Sequence, residues 1–214
     1  MRAVLRHAPD CRLILAGSSQ MYAAADDDRA IDETTKPQPS TFYGQTKVWG
    51  SEAIAFARRD GLKGATAILF NHESTRRAAS FVTRKVTRAA AAIRLGLEDH
   101  LTLANLGGRA DWSAALDVVD ALVRMSEMAD PQDYVIGSGV LHSVEQLVGC
   151  AFDRVGLDWR QHVTAARRSA APAVYADPRR IRTDLGWQPE ISFETLIHAM
   201  VDADLAELRT APTR

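Results

Sequence analysis

Tyr43 and Lys47 stand four residues apart in Tyr43-Gly44-Gln45-Thr46-Lys47. On a helix that spacing puts both side chains on one face, one turn from each other. An ammonium beside a phenol favours the phenolate, so such a pair makes a tyrosine able to take or give a proton near neutrality. Upstream, Ser18 closes an apolar run and opens Ser18-Ser19-Gln20-Met21-Tyr22, where its hydroxyl can hydrogen-bond the same substrate hydroxyl. Downstream, Phe70-Asn71-His72-Glu73-Ser74 sets polar groups just past a second apolar run. The Tyr-Lys spacing alone is a weak signal whose ordinary meaning is a solvent-facing helix start. The serine and the downstream stretch make it a candidate proton-transfer site.

These residues need elements to carry them. Residues 2–8 read as the last turns of a helix stopped by Pro9. Arg12 to Gly17 is a continuous apolar run of the kind that a strand buried on both faces needs. Residues 23–41 are acidic and contain proline, which predicts a surface loop. A helix comes next, from about Tyr43 to Arg59, with Val48, Ala53, Ile54 and Phe56 expected inward and Asp60-Gly61 at its end. Ala65 to Phe70 is the next buried strand. Helices are predicted over 80–95 and 113–128, with short strands at Leu101–Leu103 and Tyr134–Ile136. Ser143 reads as a helix N-cap, and Gln146 three residues on completes a capping box. Two short helices, 177–185 and 193–208, flank Gly186-Trp187-Gln188-Pro189, a turn where a tryptophan can plug the core. Strands alternating with helices predict an α/β fold with a parallel sheet.

Composition narrows the function classes. The chain has 214 residues, 46% hydrophobic and 25% charged, the profile of an ordinary globular protein with one proper core. A net charge of -1 predicts neither nucleic-acid binding nor attraction to acidic membranes. The apolar run Leu13–Ala16 is far too short to span a bilayer, and Pro9-Asp10 interrupts any signal-peptide core. Six scattered histidines and two cysteines, Cys11 and Cys150, offer no metal spacing and no disulfide framework. Both cysteines are expected as free, buried thiols in a reducing cytoplasm. The thirteen glycines form no GxGxxG or GxxGxxG turn of the kind that holds a dinucleotide pyrophosphate. The chain opens at what would be the helix before the fifth strand of such a sheet. The expectation is therefore the second half of a Rossmann fold and the segments beyond it, without the first half.

Several ordered stretches resemble one family. They are Tyr43 to Lys47, Ile68 to Ser74, Arg76-Arg77, Phe81-Val-Thr-Arg-Lys85, Asn105-Leu106, Asp111-Trp112, Asp133 to Ile136, His142 to Val144 and Leu185 to Pro189. Together they resemble the GDP-mannose 4,6-dehydratases, extended short-chain dehydrogenase/reductases acting on nucleotide sugars. The resemblance runs from about residue 12 to 208, and the Phe-Asn-His-Glu-Ser and Phe-Val-Thr-Arg-Lys stretches are far more specific than the Tyr-Lys pair. It implies the C-terminal part of a Rossmann-type parallel sheet plus a small mixed α/β substrate-binding lobe. Residues 1–75 would be the dinucleotide-binding portion, and 76–214 mainly the nucleotide-sugar lobe, with some segments returning to the sheet.

The same resemblance implies a chemistry: hydride passes from sugar C4 to NADP while a tyrosine takes the hydroxyl proton. A carboxylate then removes the C5 proton, water leaves from C6, and the hydride returns to C6. By position Tyr43 is the base, Lys47 its ribose-binding partner and Ser18 the hydroxyl aligner. His72, Glu73, Arg76 and Arg77 lie by the cofactor, while Asn71, Val82 and Lys85 hold a GDP-mannose-like nucleotide sugar. A homo-oligomer is also implied.

Three departures stand at chemically costly positions. Gln20 replaces the family's carboxylate, and an amide has no useful basicity near pH 7. Ala110 replaces the arginine before Asp111-Trp112, leaving Arg109 as the substitute for the phosphates. Arg167-Arg168-Ser169-Ala170 lacks the family's ribose-binding glutamate, a loss of about 1.5–3 kcal/mol in a charge-assisted hydrogen bond. Three readings are consistent with this pattern: a dehydratase-like enzyme, a catalytically degenerate binding or oligomer-partner protein, and a gene fragment. NADP binding by the purified chain separates them best, and without a pyrophosphate-binding turn that binding is expected to be weak.

Overall fold

The structure, a computed structural model, describes residues 1–24 and 26–210, and its chain divides into two compact units. The first comprises Met1–His72, Asp111–Val140 and Pro172–Glu190; the second comprises Glu73–Ala110, Leu141–Ala171 and the chain from Ile191 on. It is an α/β fold built on parallel strand pairs.

In the first unit β1 (Leu13–Ala16), β3 (Gly64–Leu69) and β7 (Tyr134–Ile136) form a parallel sheet with β3 in the centre. Leu13 pairs with Gly64 and Ala16 with Ala67, so the two apolar runs of the sequence are neighbours in register. Side chains alternate across a strand, and both faces of β3 are covered. Ala65, Ala67 and Leu69 pack with Val118, Ala121 and Met125 of helix α4 (Ala115–Glu127) and with Tyr134, Ile136, Ile181 and Trp187. Ile68 and Phe70 face the other way, into a cluster with Met21, Ile31, Val48 and Val135. Val48 belongs to helix α2 (Phe42–Arg59).

Strand β1 is only half-buried rather than buried on both faces, because in this sheet it is an outer strand flanked by β3 alone. Its side chains still divide: Leu13 and Leu15 pack toward Ile54, Ala57 and Leu62, and Ile14 packs toward the α4 cluster. Helix α2 departs from its expected face at one position. Ala57, not Phe56, joins Ile54 in the core, because three residues and not two return a helix to the same side. Phe56 is 63% exposed. The acidic 23–41 stretch holds an unexpected strand, β2 (Arg29–Ile31), which pairs in parallel with β10 (Val174–Ala176). The expectation of two buried thiols also needs correction. Cys11 is exposed, and Cys150 is half-buried with burial pushing its thiol up to about 11, an unreactive state.

The second unit is mainly helical: α3 (Val82–Arg94), α5 (Val144–Arg154) and α7 (Phe193–Thr210) pack on one another. Strands β5 (Leu101–Asn105) and β9 (Val163–Arg167) pair beside them in parallel. Helix α5 starts with the predicted capping box, Ser143 and Gln146 each bonding the other's backbone N–H, at 3.0 and 2.7 Å. Helix α3 packs through small side chains, with Ala89 to Ala92 all buried. The remaining elements are α1 (Arg2–His7), β4 (Asn71–Glu73), β6 (Arg109–Ala114), β8 (Leu141–Ser143) and α6 (Arg179–Leu185). Among the described residues no helix is long and apolar enough to cross a membrane.

Candidate active site

The first unit assembles four of the candidate residues around the carboxyl end of β1. After Ala16 the chain turns into a single 3-10 turn, Ser19–Met21, for which Ser18 is the N-cap: its Oγ accepts the Gln20 N–H at 3.2 Å. Helix α2 starts where Thr41 Oγ1 accepts the Gly44 N–H at 3.0 Å, a threonine cap. Gly44 sits directly on the Gln20 carbonyl; a Cβ there would lie 2.0 Å from that oxygen. The absent side chain thus lets the first turn of α2, with Tyr43 in it, dock on the Ser18–Gln20 backbone. One turn on, Lys47 Nζ donates to the Ala16 carbonyl at 2.9 Å and lies 5.4 Å from the centre of the Tyr43 ring. The ammonium is therefore anchored between the strand end and the phenol, within cation–π range.

Exposure separates the tyrosines. Tyr43 is 54% exposed and open to a ligand, whereas Tyr22 is buried and its phenol is pushed up to about 12, first by desolvation and then by Glu33, Asp133 and Asp32. Burial thus closes Tyr22 to a ligand and keeps its phenol neutral near pH 7. Gln20 is exposed at the same turn. Two acids of the neighbouring loop, Asp32 and Glu33, are committed elsewhere. Glu33 accepts the Val135 N–H at 2.8 Å, and burial raises its carboxyl. Asp32 accepts from Thr34 and Thr35. Asn71 and His72 come after Phe70 in this unit, half-buried, with His72 Nδ1 2.9 Å from the Phe70 carbonyl.

The second unit gathers Glu73, Arg76, Arg77, Val82 and Lys85 along the entry to α3, with Arg109 apart from them on β6. Glu73 is buried, with Arg77 Nε 3.1 Å from its Oε2 and Thr83 Oγ1 donating to the same oxygen at 2.7 Å. The Arg77 guanidinium also stacks on the Phe81 ring, 3.4 Å from its centre. Arg76 is exposed on the same turn, its backbone N–H bonded to Ser74 Oγ. On α3, Val82 is half-buried and Lys85 is exposed, its Nζ donating to the Thr102 carbonyl at 2.8 Å. Arg109 donates to the Ala171 carbonyl at 3.0 Å. Glu73 and Arg77 thus act on each other, while Lys85 and Arg109 sit on separate carbonyls.

Sequence reasoning overlooked three contributors. Gly44 carries the close approach, and only its place beside the tyrosine hinted at it. Thr83 shares Glu73 with Arg77. Asp111, quoted only as part of a motif, is a fully buried clamp: one oxygen accepts the Ser138 N–H and Oγ, the other the Gly139 and Ala176 N–H groups. Among the described residues no group of three or more His, Cys, Asp or Glu side chains is placed to hold a metal ion.

A profile of the family described as GDP-mannose 4,6 dehydratase matches residues 1–200. GDP-mannose 4,6 dehydratase 1 of Arabidopsis thaliana is 36% identical over 197 residues, covering 89% of this chain and 54% of that protein. The Homo sapiens GDP-mannose 4,6 dehydratase is 32% identical over 219 residues, covering 92% and 59%. The chain therefore spans little more than half the length of these relatives. Among solved structures it is similar to RMD from Pseudomonas aeruginosa complexed with NADPH, with a TM-score of 0.88 at 20% identity over 96% of this chain and 70% of that one. UDP-glucose 4-epimerase of Thermotoga maritima with UDP-glucose gives a TM-score of 0.81 at 22% identity, over 97% and 67%. Likeness at these identities concerns the fold. The profile match over nearly the whole chain and the two sequence relatives make the stronger statement: the chain belongs to the GDP-mannose 4,6 dehydratase family.

Proposed function

We propose that this protein acts on GDP-mannose or a close nucleotide sugar as a dehydratase of its family, using NADP. The observation that carries the reading is the joining of Tyr43, Lys47 and the Ser18–Gln20 turn at one strand end by Gly44 and by the Lys47–Ala16 bond. An open phenol with an anchored ammonium beside it fits the nicotinamide ribose. NADP, when bound, supplies the hydride acceptor for sugar C4. Tyr43 takes the C4 hydroxyl proton on its phenolate oxygen as hydride leaves C4, Ser18 hydrogen-bonds that hydroxyl, and the Lys47 ammonium faces the phenolate charge before the transfer.

His72, Glu73, Arg76 and Arg77 are assigned to the cofactor side, and Asn71, Val82, Lys85 and Arg109 to the nucleotide sugar. On this reading residues 1–75 serve mainly the cofactor and 76–214 mainly the sugar. The exposed Phe42, Trp49 and Phe56, seven residues apart along α2, support a homo-oligomer. A cytoplasmic location is part of the same proposal.

Gln20 limits the second half of the reaction. It stands at the family's carboxylate position and cannot take the C5 proton, and general acid–base groups contribute about 10²–10⁴-fold to rate. With NADP raised to saturation, to offset the weak binding expected without a pyrophosphate-binding turn, incubation with GDP-mannose should give C4 oxidation with slow formation of the 4-keto-6-deoxy sugar. Gln20→Glu should raise that product toward the 10²–10⁴-fold range, and Tyr43→Phe should remove oxidation in both backgrounds. A full dehydratase rate with Gln20 intact overturns this assignment of the base. Failure to bind GDP-mannose in calorimetry overturns the reading as a whole.

A further inference from the structure

Arg84 lies inside the Phe-Val-Thr-Arg-Lys stretch, yet none of the roles above uses it. Its side chain is 8% exposed, and its guanidinium ties α3 to two other segments of the second unit, α7 and the turn at Thr75. Nε meets Asp204 of α7 at 2.7 Å, one terminal nitrogen meets Glu207 of α7 at 2.8 Å, and the other donates to the Thr75 carbonyl. Asp204 is fully buried and also accepts from Thr87 of α3 at 2.7 Å, while Arg88 pairs with Glu207 at 2.7 Å. A planar fork with fixed donor directions is what this three-way junction requires. Thr75 belongs to the turn bearing Arg76 and Arg77, and Val82 and Lys85 flank Arg84 on α3.

We infer that Arg84, held by Asp204 and Glu207, is a positioning residue that fixes the 74–80 turn against α3 and so sets the geometry in which Arg76, Arg77, Val82 and Lys85 meet the nucleotide. The inference rests on the reading of this unit as the nucleotide-sugar side. Burying an arginine and an aspartate is costly, and a well-packed apolar pair in their place is often equally stable. Stability alone therefore does not call for this junction, whereas the direction of its third bond, to Thr75, points to positioning.

The test is GDP binding by the full chain, measured by calorimetry, with amide hydrogen exchange over residues 74–80. Arg84→Lys keeps the charge facing Asp204 but cannot reach Thr75 and Glu207 together. It should weaken GDP about three- to tenfold and speed exchange in the 74–80 turn. Leu147→Ala, a cavity in buried α5, should lower the melting temperature yet leave GDP affinity and 74–80 exchange as they were. Lys85→Ala probes the underlying reading. If it leaves GDP binding unchanged, or if the unsubstituted chain binds no GDP, that reading falls and the inference with it. If Lys85→Ala weakens GDP while Arg84→Lys does not, the positioning role alone is overturned. Equal losses from Arg84→Lys and Leu147→Ala would reduce Arg84 to a stabilising residue and overturn it too.

Discussion

At the scale of single residues, two glycines on the same helix make opposite demands. A Cβ on Gly44 would meet backbone, the Gln20 oxygen at 2.0 Å; a Cβ on Gly50 would meet only the end of the Leu15 side chain at 3.0 Å. Backbone in a packed turn cannot move aside, whereas a leucine methyl can turn. Gly44→Ala should therefore lower the urea unfolding free energy by about 1–3 kcal/mol, and Gly50→Ala by less. The reverse ranking would mean that α2 does not dock on the Ser18–Gln20 turn as described. The pairing of Tyr43 with Lys47 was legible because a Tyr-Lys pair one turn apart is a local pattern. Which of the nearby tyrosines is open was not legible, since Tyr22 is buried by Ile31, Val135 and Ala176, residues remote in the chain. Gln20 was legible as a departure, and its side chain is exposed.

At the scale of elements, the short turn at Asp32 carries a pH signature. Hydrogen bonds, the one from Thr35 largest, hold the Asp32 carboxyl below its usual 3.8. A depressed folded value stabilises the fold above the ordinary one and is lost as pH falls through the folded one. Asp32→Asn should therefore lower stability at pH 7, where the contribution of the ionised carboxylate is fully present, and flatten the acid limb of the stability curve below about pH 4. An unchanged acid limb would show that these bonds do not persist in solution. Asp204 and Glu33 have the opposite sign, because burial raises both carboxyls; their contribution is present at low pH and fades as pH rises through the raised values. Among the helices, α5 was readable to the residue because Ser143 and Gln146 are three apart and cap locally. Strands β2, β6, β9 and β10 were not. They are short or interrupted by polar residues, and they exist because partners far along the chain complete them, as Val174–Ala176 does for Arg29–Ile31. Sheet propensity largely reflects such context.

At the scale of the whole molecule, Trp187 shows how much of the first unit hangs on one late residue. It is fully buried between α4, α6 and β7, and its Nε1–H donates to the Asp117 carbonyl at 2.9 Å. Trp187→Ala should cost about 3–5 kcal/mol, a large share of a domain's stability, with cooperative unfolding at lower urea by circular dichroism. Trp187→Phe should cost less, since most of the ring volume stays and only the bond to the Asp117 carbonyl is lost. Equal costs would assign the effect to the hydrogen bond rather than to packing. By itself the sequence determined the local facts: that the two longest apolar runs are strands, where α2 and α5 begin, that a tryptophan plugs the core, and that tyrosine and lysine share a helix face. It also carried the family, through ordered motifs spread along most of the chain. The tertiary structure decided what depends on residues far apart in the chain: that Phe56 faces out, that Cys11 is exposed, that Asp111 clamps the Ser138–Gly139 turn to β10, and that Arg84 joins three segments. The reason is physical. Helix caps and hydrophobic periods act over a few residues, whereas burial, desolvation and the choice of ion-pair partner exist only once distant segments have met.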